Sequence, residues 1–339
     1  MRTGIEVIRL SSVKIQPEEI ANFCREFFNR EVSGVEYPAG KDRKTVIVHL
    51  PDRSIVVSKR ASASRAKLEA SVLEKLSSTG FVPSLVGRRR DILAQELICG
   101  NRLSHELERA YANNRERLLI QSGSTLLDLQ EAGKQVGLNK YAPLIGDRDG
   151  WFLDFAKSPL RLAKLVNAPV PNYDAEALAK RISPKDLTFV KWDARPGNAL
   201  FTPKGKVSWF DWEHCGCGSP EDDLVWLLAD EWTPINKPAE EFLLQKIAQE
   251  NSSSLDELSA RFRSKAILHS AVRLALIFSR KGSGPWWNVK SAMMADRVGV
   301  SLPHVRRLCR RASGWSASLE GSVNLAELFT ATEEYASSL

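Results

Sequence analysis

Two carboxylates and an amide stand near one another in the middle of this 339-residue chain: Asp193 and Asn198 in VKWDARPGNALF, then Asp211 in VSWFDWE. Pro196 and Gly197 break both helix and strand, so the first two residues belong to a loop. The run KVSWF reads as a strand that delivers Asp211. Short strands on either side of a tight connection would gather the three side chains at one end of a small hairpin. Such oxygen donors suit a hard divalent ion, because Mg2+ takes oxygen ligands and usually only one or two protein carboxylates. The bland alternative is a polar turn closed by an Asx cap.

A second pair lies far upstream. Lys59 ends the β-branched run SIVVSK, and alternation from Ile55 and Val57 puts it on the face of those apolar residues. An inward lysine needs a partner. Glu69, in the helix that follows, is expected to form an ion pair with it that could hold phosphates; otherwise Lys59 snorkels at the strand end.

The elements that must position these groups are legible in the periodicity. QPEEIANFCREFFNREV carries Pro17 where a first turn tolerates it and sets Ile20, Phe23, Cys24, Phe27 and Phe28 on one face of a helix. TVIVHL and SIVVSK flank Pro51-Asp52-Arg53 and read as a hairpin. The segment SASRAKLEASVLEKLSSTG is a helix closed by Gly80, and DILAQEL is strand-like. Beyond CGNRL the pattern turns helical over 103–134 and much of 155–185, with DRDGW as a loop between them. LTFVKW, ALFT and KVSWFDW are the β-like pieces of the second half. Everything after residue 222 reads as helix, apart from the break RKGSGPWW.

An α+β chain with a small mixed lobe, 1–100, and a large helical lobe, 101–339, is therefore expected. Its length suits two lobes. No run approaches the eighteen or more apolar residues of a membrane span, and MRTGIEVIRLSS lacks the apolar core of a secretory signal, which points to the cytoplasm. Five scattered cysteines read as reduced thiols, and Cys215 and Cys217 beside His214 lack the second pair that a structural zinc site needs. A net charge of +7 suits an anionic ligand such as a nucleotide, or simply solubility.

The order of these motifs resembles that of the aminoglycoside phosphotransferase and choline kinase-like family, the small-molecule branch of the protein-kinase-like fold. KWDARPGN stands where that family has a signature close to H-G-D-x-x-x-x-N, WFDWE where it has an I-D-W-E-like metal motif, and Asp223-Leu224 where a D-L pair opens a helix. The likeness spans about residues 40 to 230. It implies a two-lobed fold and transfer of the γ-phosphoryl group of ATP to a hydroxyl of a small molecule. Asp193 would orient the hydroxyl and accept its proton, while Asn198 and Asp211 hold Mg2+. Lys59, braced by Glu69, would hold the α/β-phosphates, and the backbone of Glu96, Leu97 and Ile98 would meet adenine. Lys41, in the Gly-poor stretch YPAGKDRKTVIV, would replace backbone N–H groups as a phosphate partner. The counterpart of Asp223 braces the catalytic loop.

Lys191 replaces the family's histidine, with Trp192 beside it. Arg195 could face a phosphate or pack on Trp192. Asp230 and Glu231 either line an acceptor pocket or face solvent. Two alternatives to catalysis remain: a nucleotide-binding pseudokinase, and DNA binding through a helix-turn-helix at 291–312, with Arg306, Arg307, Arg310 and Arg311 on its second helix. Two helices joined by a glycine turn are routine in a helical lobe, so nucleic acid is not the expected partner. Trp286 and Trp287 either line a pocket or pack in a lid.

Overall fold

The computed structural model describes residues 15–38, 44–294, 300–319 and 323–339. The chain divides into two compact units: one formed by Met1–Cys99 with Phe210–His214, the other by Gly100–Trp209 with Cys215–Leu339.

The first unit begins with α1 (Pro17–Phe28), whose Pro17 lies in the first turn and whose Gln16 and Glu19 form a reciprocal cap. Strands β1 (Gly34–Glu36), β2 (Thr45–His49) and β3 (Ser54–Lys59) follow, then α2 (Ala63–Leu76), β4 (Leu85–Arg89) and β5 (Ile92–Glu96). The strands form one antiparallel sheet in the order β1-β2-β3-β5-β4. Its two faces receive different helices. Val46, Val48, Ile55, Val57, Ile92 and Ala94 pack with Ile20, Phe23 and Cys24 of α1, whereas α2 packs against β4 and β5. Ser62 caps α2 by accepting from the Arg65 N–H at 3.3 Å. Phe27 lies 44% exposed, stacked on Phe23, so the apolar face of α1 is narrower than its sequence suggests.

The second unit opens with β6 (Asn101–Arg102), α3 (Leu103–Arg109) and the long α4 (Ala112–Gln135), followed by α5 (Trp151–Ala156), α6 (Ser158–Leu165) and α7 (Ala175–Ile182). The short strands β7 (Thr188–Val190), β8 (Ala199–Phe201), β9 (Val207–Trp209) and β10 (Gly216–Gly218) come next. Helices α8 (Asp222–Leu228), α9 (Lys237–Glu250), α10 (Leu255–Lys281), α11 (Val289–Met294), α12 (Leu302–Ala317) and α13 (Val323–Ser338) complete the chain. β8 pairs with β6 and β9, and β7 pairs with β10. β10 is a strand that periodicity does not reveal, because Gly-Cys-Gly has low strand propensity. Packing forces it instead: a Cβ on Gly216 would come within 2.5 Å of the Pro143 carbonyl oxygen. Among the described residues, no helix is long and apolar enough to cross a membrane.

Candidate active site

In the first unit a buried guanidinium organises the carboxylates. Arg60 donates from Nη2 to Glu69 Oε1 at 2.6 Å and from Nη1 to Asp211 Oδ1 at 2.9 Å, with Glu213 Oε1 at 3.8 Å. Arg60 is 7% exposed and Glu69 fully buried. Burial alone would pull the guanidinium's pKa down, but Glu69, Asp211 and Glu213 outweigh it and raise the pKa above the usual arginine value. The Trp212 N–H donates to Glu69 Oε1 at 3.2 Å and Arg65 Nη1 to the Glu213 carbonyl at 2.8 Å, so both α2 and the residue after β3 grip the segment around Asp211. Asp211 itself has φ of 61°, in the left-handed region.

The expected Lys59–Glu69 pair is therefore corrected. Lys59 donates to Glu19 on α1 at 2.5 Å. The cause is the two-residue period of the strand. Ile55, Val57 and Lys59 point to the α1 side; Arg60, one residue later, turns to the α2 side, where Glu69 waits. A one-residue offset exchanges the partners.

At the end of β5, the Glu96 N–H donates to the Ser84 carbonyl at 2.9 Å, and the Glu96 carboxylate accepts from Ser84 Oγ at 2.9 Å. Ile98 is half-buried just beyond the strand. Lys41 lies outside the described residues.

In the second unit, Asp193 and Asn198 are brought together. Asn198 Nδ2 donates to the Asp193 carbonyl at 3.0 Å and to its Oδ2 at 2.9 Å, which leaves the amide Oδ1 as the ligand-type atom of Asn198. The loop backbone is held from beneath. Asp223 accepts from the Lys191 N–H at 3.0 Å, the Trp192 N–H at 2.8 Å and Gln130 Nε2 at 2.9 Å. Burial pushes the Asp223 carboxyl up to about 6 against those hydrogen bonds. Lys191 is almost completely buried, and its ammonium donates to the Asp193 carbonyl at 3.5 Å. Trp192 (φ 49°) and Asp193 (φ 52°) are consecutive non-glycine residues in the left-handed region.

Asp230 and Glu231 neither face solvent nor line a pocket with free charge. Both are fully buried. Arg195 Nε donates to Asp230 Oδ2 at 2.7 Å, Arg273 donates to Glu231 at 2.6 to 3.0 Å, and Arg311 donates to the Asp230 carbonyl at 2.7 Å. Arg195 is thus committed to acids rather than to a phosphate or the Trp192 ring. Burial would lower its pKa, but Asp230, Glu231 and Asp193 raise it. Sequence spacing could not reveal this network, whose bonded partners lie between 35 and 81 positions apart.

The helix-turn-helix reading is also corrected, although residues 295–299 lie outside the described ones. Val305, Leu308, Ala312 and Trp315 of α12 are buried against α10 and α13. Arg310 pairs with Glu333 at 2.9 Å, Arg307 with Glu108 at 3.1 Å, and Arg311 is buried. Arg307 and Arg310 are engaged by intramolecular acids, and Arg311 donates to the Thr233 and Asp230 carbonyls. Trp286 packs on Phe278 and donates to the Ala336 carbonyl at 3.1 Å, in keeping with a packing role. Among the described residues, no cluster of three His, Cys, Asp or Glu side chains is set to hold a metal.

Residues 33–258 match the model of the phosphotransferase enzyme family (APH). No curated protein matches the chain. Among solved structures, the spectinomycin phosphotransferase APH(9)-Ia, in complex with ADP and spectinomycin, superposes with a TM-score of 0.55 at 12% identity, covering 94% of this chain and 99% of its own. The choline kinase LicA from Streptococcus pneumoniae gives 0.52 at 15% identity, covering 88% and 98%. The gentamicin complex of APH(2")-IIa gives 0.53 at 15% identity, covering 93% and 99%. Such distant likeness establishes the protein-kinase-like fold. The family match establishes more: the chain belongs to the phosphotransferase enzyme family.

Proposed function

We propose that the chain is an ATP- and Mg2+-dependent kinase that transfers the γ-phosphoryl group to a hydroxyl of a small metabolite or antibiotic-like molecule. The observation that carries this reading is the Asp193 loop. A half-buried carboxylate is fixed by Asn198 Nδ2, and the backbone leading to it is tied to Asp223. Phosphoryl transfer asks chiefly for positioning and charge stabilisation, which a carboxylate so fixed can supply to an incoming hydroxyl. Asp193 orients that hydroxyl and takes its proton late in the transfer.

Asn198 Oδ1 and the Asp211 carboxylate are the oxygen donors that would hold Mg2+, and an amide oxygen with a carboxylate fits the hard-ion preference. The ion, when bound, neutralises charge on the phosphate oxygens. Arg60, rather than Lys59, would hold the α/β-phosphates, since its five N–H donors exceed what Glu69 and Asp211 consume. The Glu96 N–H is already used by Ser84, so the Glu96 carbonyl and the Ile98 N–H are the backbone groups left to read adenine. Lys41 keeps its proposed part at the phosphates.

The test is ATP turnover over a panel of hydroxylated metabolites and aminoglycosides, with Asp193→Ala and Asp211→Ala as controls. Loss of a proton acceptor typically removes 10²- to 10⁴-fold of rate. Nucleotide binding by the wild type without turnover on any acceptor would favour a pseudokinase. Undiminished turnover in Asp193→Ala would remove that residue from its role.

A further inference from the structure

The residue beside Asp193 sits in a conformation that its type should avoid. Trp192 has φ of 49°, and a bulky aromatic residue with positive φ is a genuine outlier that costs roughly 1 to 3 kcal/mol. The two N–H bonds to Asp223 hold the backbone there, but they would hold a glycine equally well at no steric cost. The side chain must therefore contribute something that the turn does not need.

What it joins is an aromatic array within the second unit. The Trp192 ring lies 5.6 Å from Trp226, nearly edge to face at 69°, and 6.2 Å from Trp151 at 57°. Trp151 continues into Phe152 at 4.9 Å and Phe155 at 5.3 Å. All three tryptophans are only partly buried, unlike Trp209 and Trp212, which are sealed in the interior. Among the described residues, no group accepts a hydrogen bond from the indole N–H of Trp151, Trp192 or Trp226. An angled, half-open set of rings next to the proposed proton acceptor presents apolar faces and spare donors to whatever Asp193 orients.

Charge on the same unit narrows the ligand. Asp230 and Glu231, the acids expected at an acceptor pocket, are fully buried and consumed by Arg195 and Arg273. His269, against Trp226 at 4.4 Å, is kept neutral by burial and by Arg273, its pKa lowered well below the usual range. We infer that Trp151, Trp192 and Trp226 form an acceptor subsite that selects an uncharged hydroxyl compound carrying a flat aromatic or unsaturated ring, with Trp192 as its specificity-determining residue. This rests on the phosphotransferase reading for its chemistry, but not for its binding.

The experiment measures binding apart from turnover. A phenyl and a methyl glycoside of the same sugar, an aminoglycoside and a quaternary ammonium alcohol are titrated against full-length wild type and Trp192→Gly, followed by tryptophan fluorescence and calorimetry. Each complex is then assayed for ATP-dependent phosphorylation. The wild type should bind the phenyl glycoside at least tenfold more tightly than the methyl one, and Trp192→Gly should lose that preference. Its melting temperature should change little, because relief of the left-handed strain offsets the lost ring contacts. Trp226→Leu, which keeps an apolar side chain and leaves the loop unaltered, should reduce the preference in the same direction. Equal affinity for the two glycosides, or preferred binding of either cationic compound, would overturn the inference. Selective binding without phosphorylation of any ligand would leave the subsite standing and count against the kinase chemistry alone.

Discussion

Substituting Arg60 and Lys59 in turn separates the basic residue that ends β3 from the one that follows it. Arg60→Met removes the partner of a carboxylate that is fully buried, leaving Glu69 charged and uncompensated. Breaking a buried pair in this way costs about 3 to 5 kcal/mol, a factor of a hundred or more in the unfolding equilibrium. Lys59→Met breaks a pair whose acid, Glu19, has a side chain 36% exposed, and such pairs are worth about 0 to 1 kcal/mol. Urea unfolding monitored by circular dichroism should therefore shift strongly for Arg60→Met and hardly at all for Lys59→Met. Adding Glu69→Gln to Arg60→Met should recover much of the loss, because the stranded charge is gone. Nucleotide affinity, measured by calorimetry on folded protein, should weaken at least tenfold in Arg60→Lys, which keeps the charge but loses the planar fork. In Lys59→Met it should stay within about twofold of wild type. A Lys59→Met variant less stable than Arg60→Met, or one that alone loses nucleotide binding, would refute the assignment of Glu69's partner.

Three further outcomes are expected. Asp223 titrates near 6 in the folded chain, above an ordinary aspartate. Its protonated form favours the fold, so this contribution to stability is complete at low pH and is lost as pH rises through about 6. Activity runs the opposite way, because the ionised carboxylate best accepts from the loop's N–H groups. Turnover should fall below about pH 6, and Asp223→Asn, whose amide cannot offer two acceptor oxygens, should abolish that acid limb in a pH–rate profile and lower the maximal rate. Glu231→Gln leaves Arg273 without its bidentate partner in the interior and should cost about 3 to 5 kcal/mol in denaturant unfolding, with no gain or loss of aminoglycoside binding. Gly216→Ala drives a Cβ toward the Pro143 carbonyl and should cost about 1 to 3 kcal/mol, detected as a lower melting temperature.

The fold was largely legible because its signals are local. Hydrophobic periods of 3.6 and 2 placed α1, α2, the β2–β3 hairpin and the long helices, and Pro196-Gly197 marked the turn between Asp193 and Asn198. The order of the motifs was enough to suggest a kinase-like chain with Asp193, Asn198 and Asp211 in its chemistry. β10 escaped notice because Gly-Cys-Gly carries no strand propensity, and its pairing with β7 is imposed by close approach rather than by composition.

Partner choice among charges was a different matter. Alternation told which face Lys59 would take, yet not that α1 and its Glu19 would cover that face while α2 brought Glu69 to the opposite one. That exchange depends on which helix packs where, a property of the whole sheet. Asp230 and Glu231 read as surface acids until Arg195 of the Asp193 loop, Arg273 of α10 and Arg311 of α12 arrive to pair with them. A local stretch thus determines its own period, turn and exposed chemistry. Which charges meet, and which tryptophans come to stand beside Asp193, only the packing of remote elements decides, because Coulomb and aromatic contacts act across space and leave no spacing in the chain.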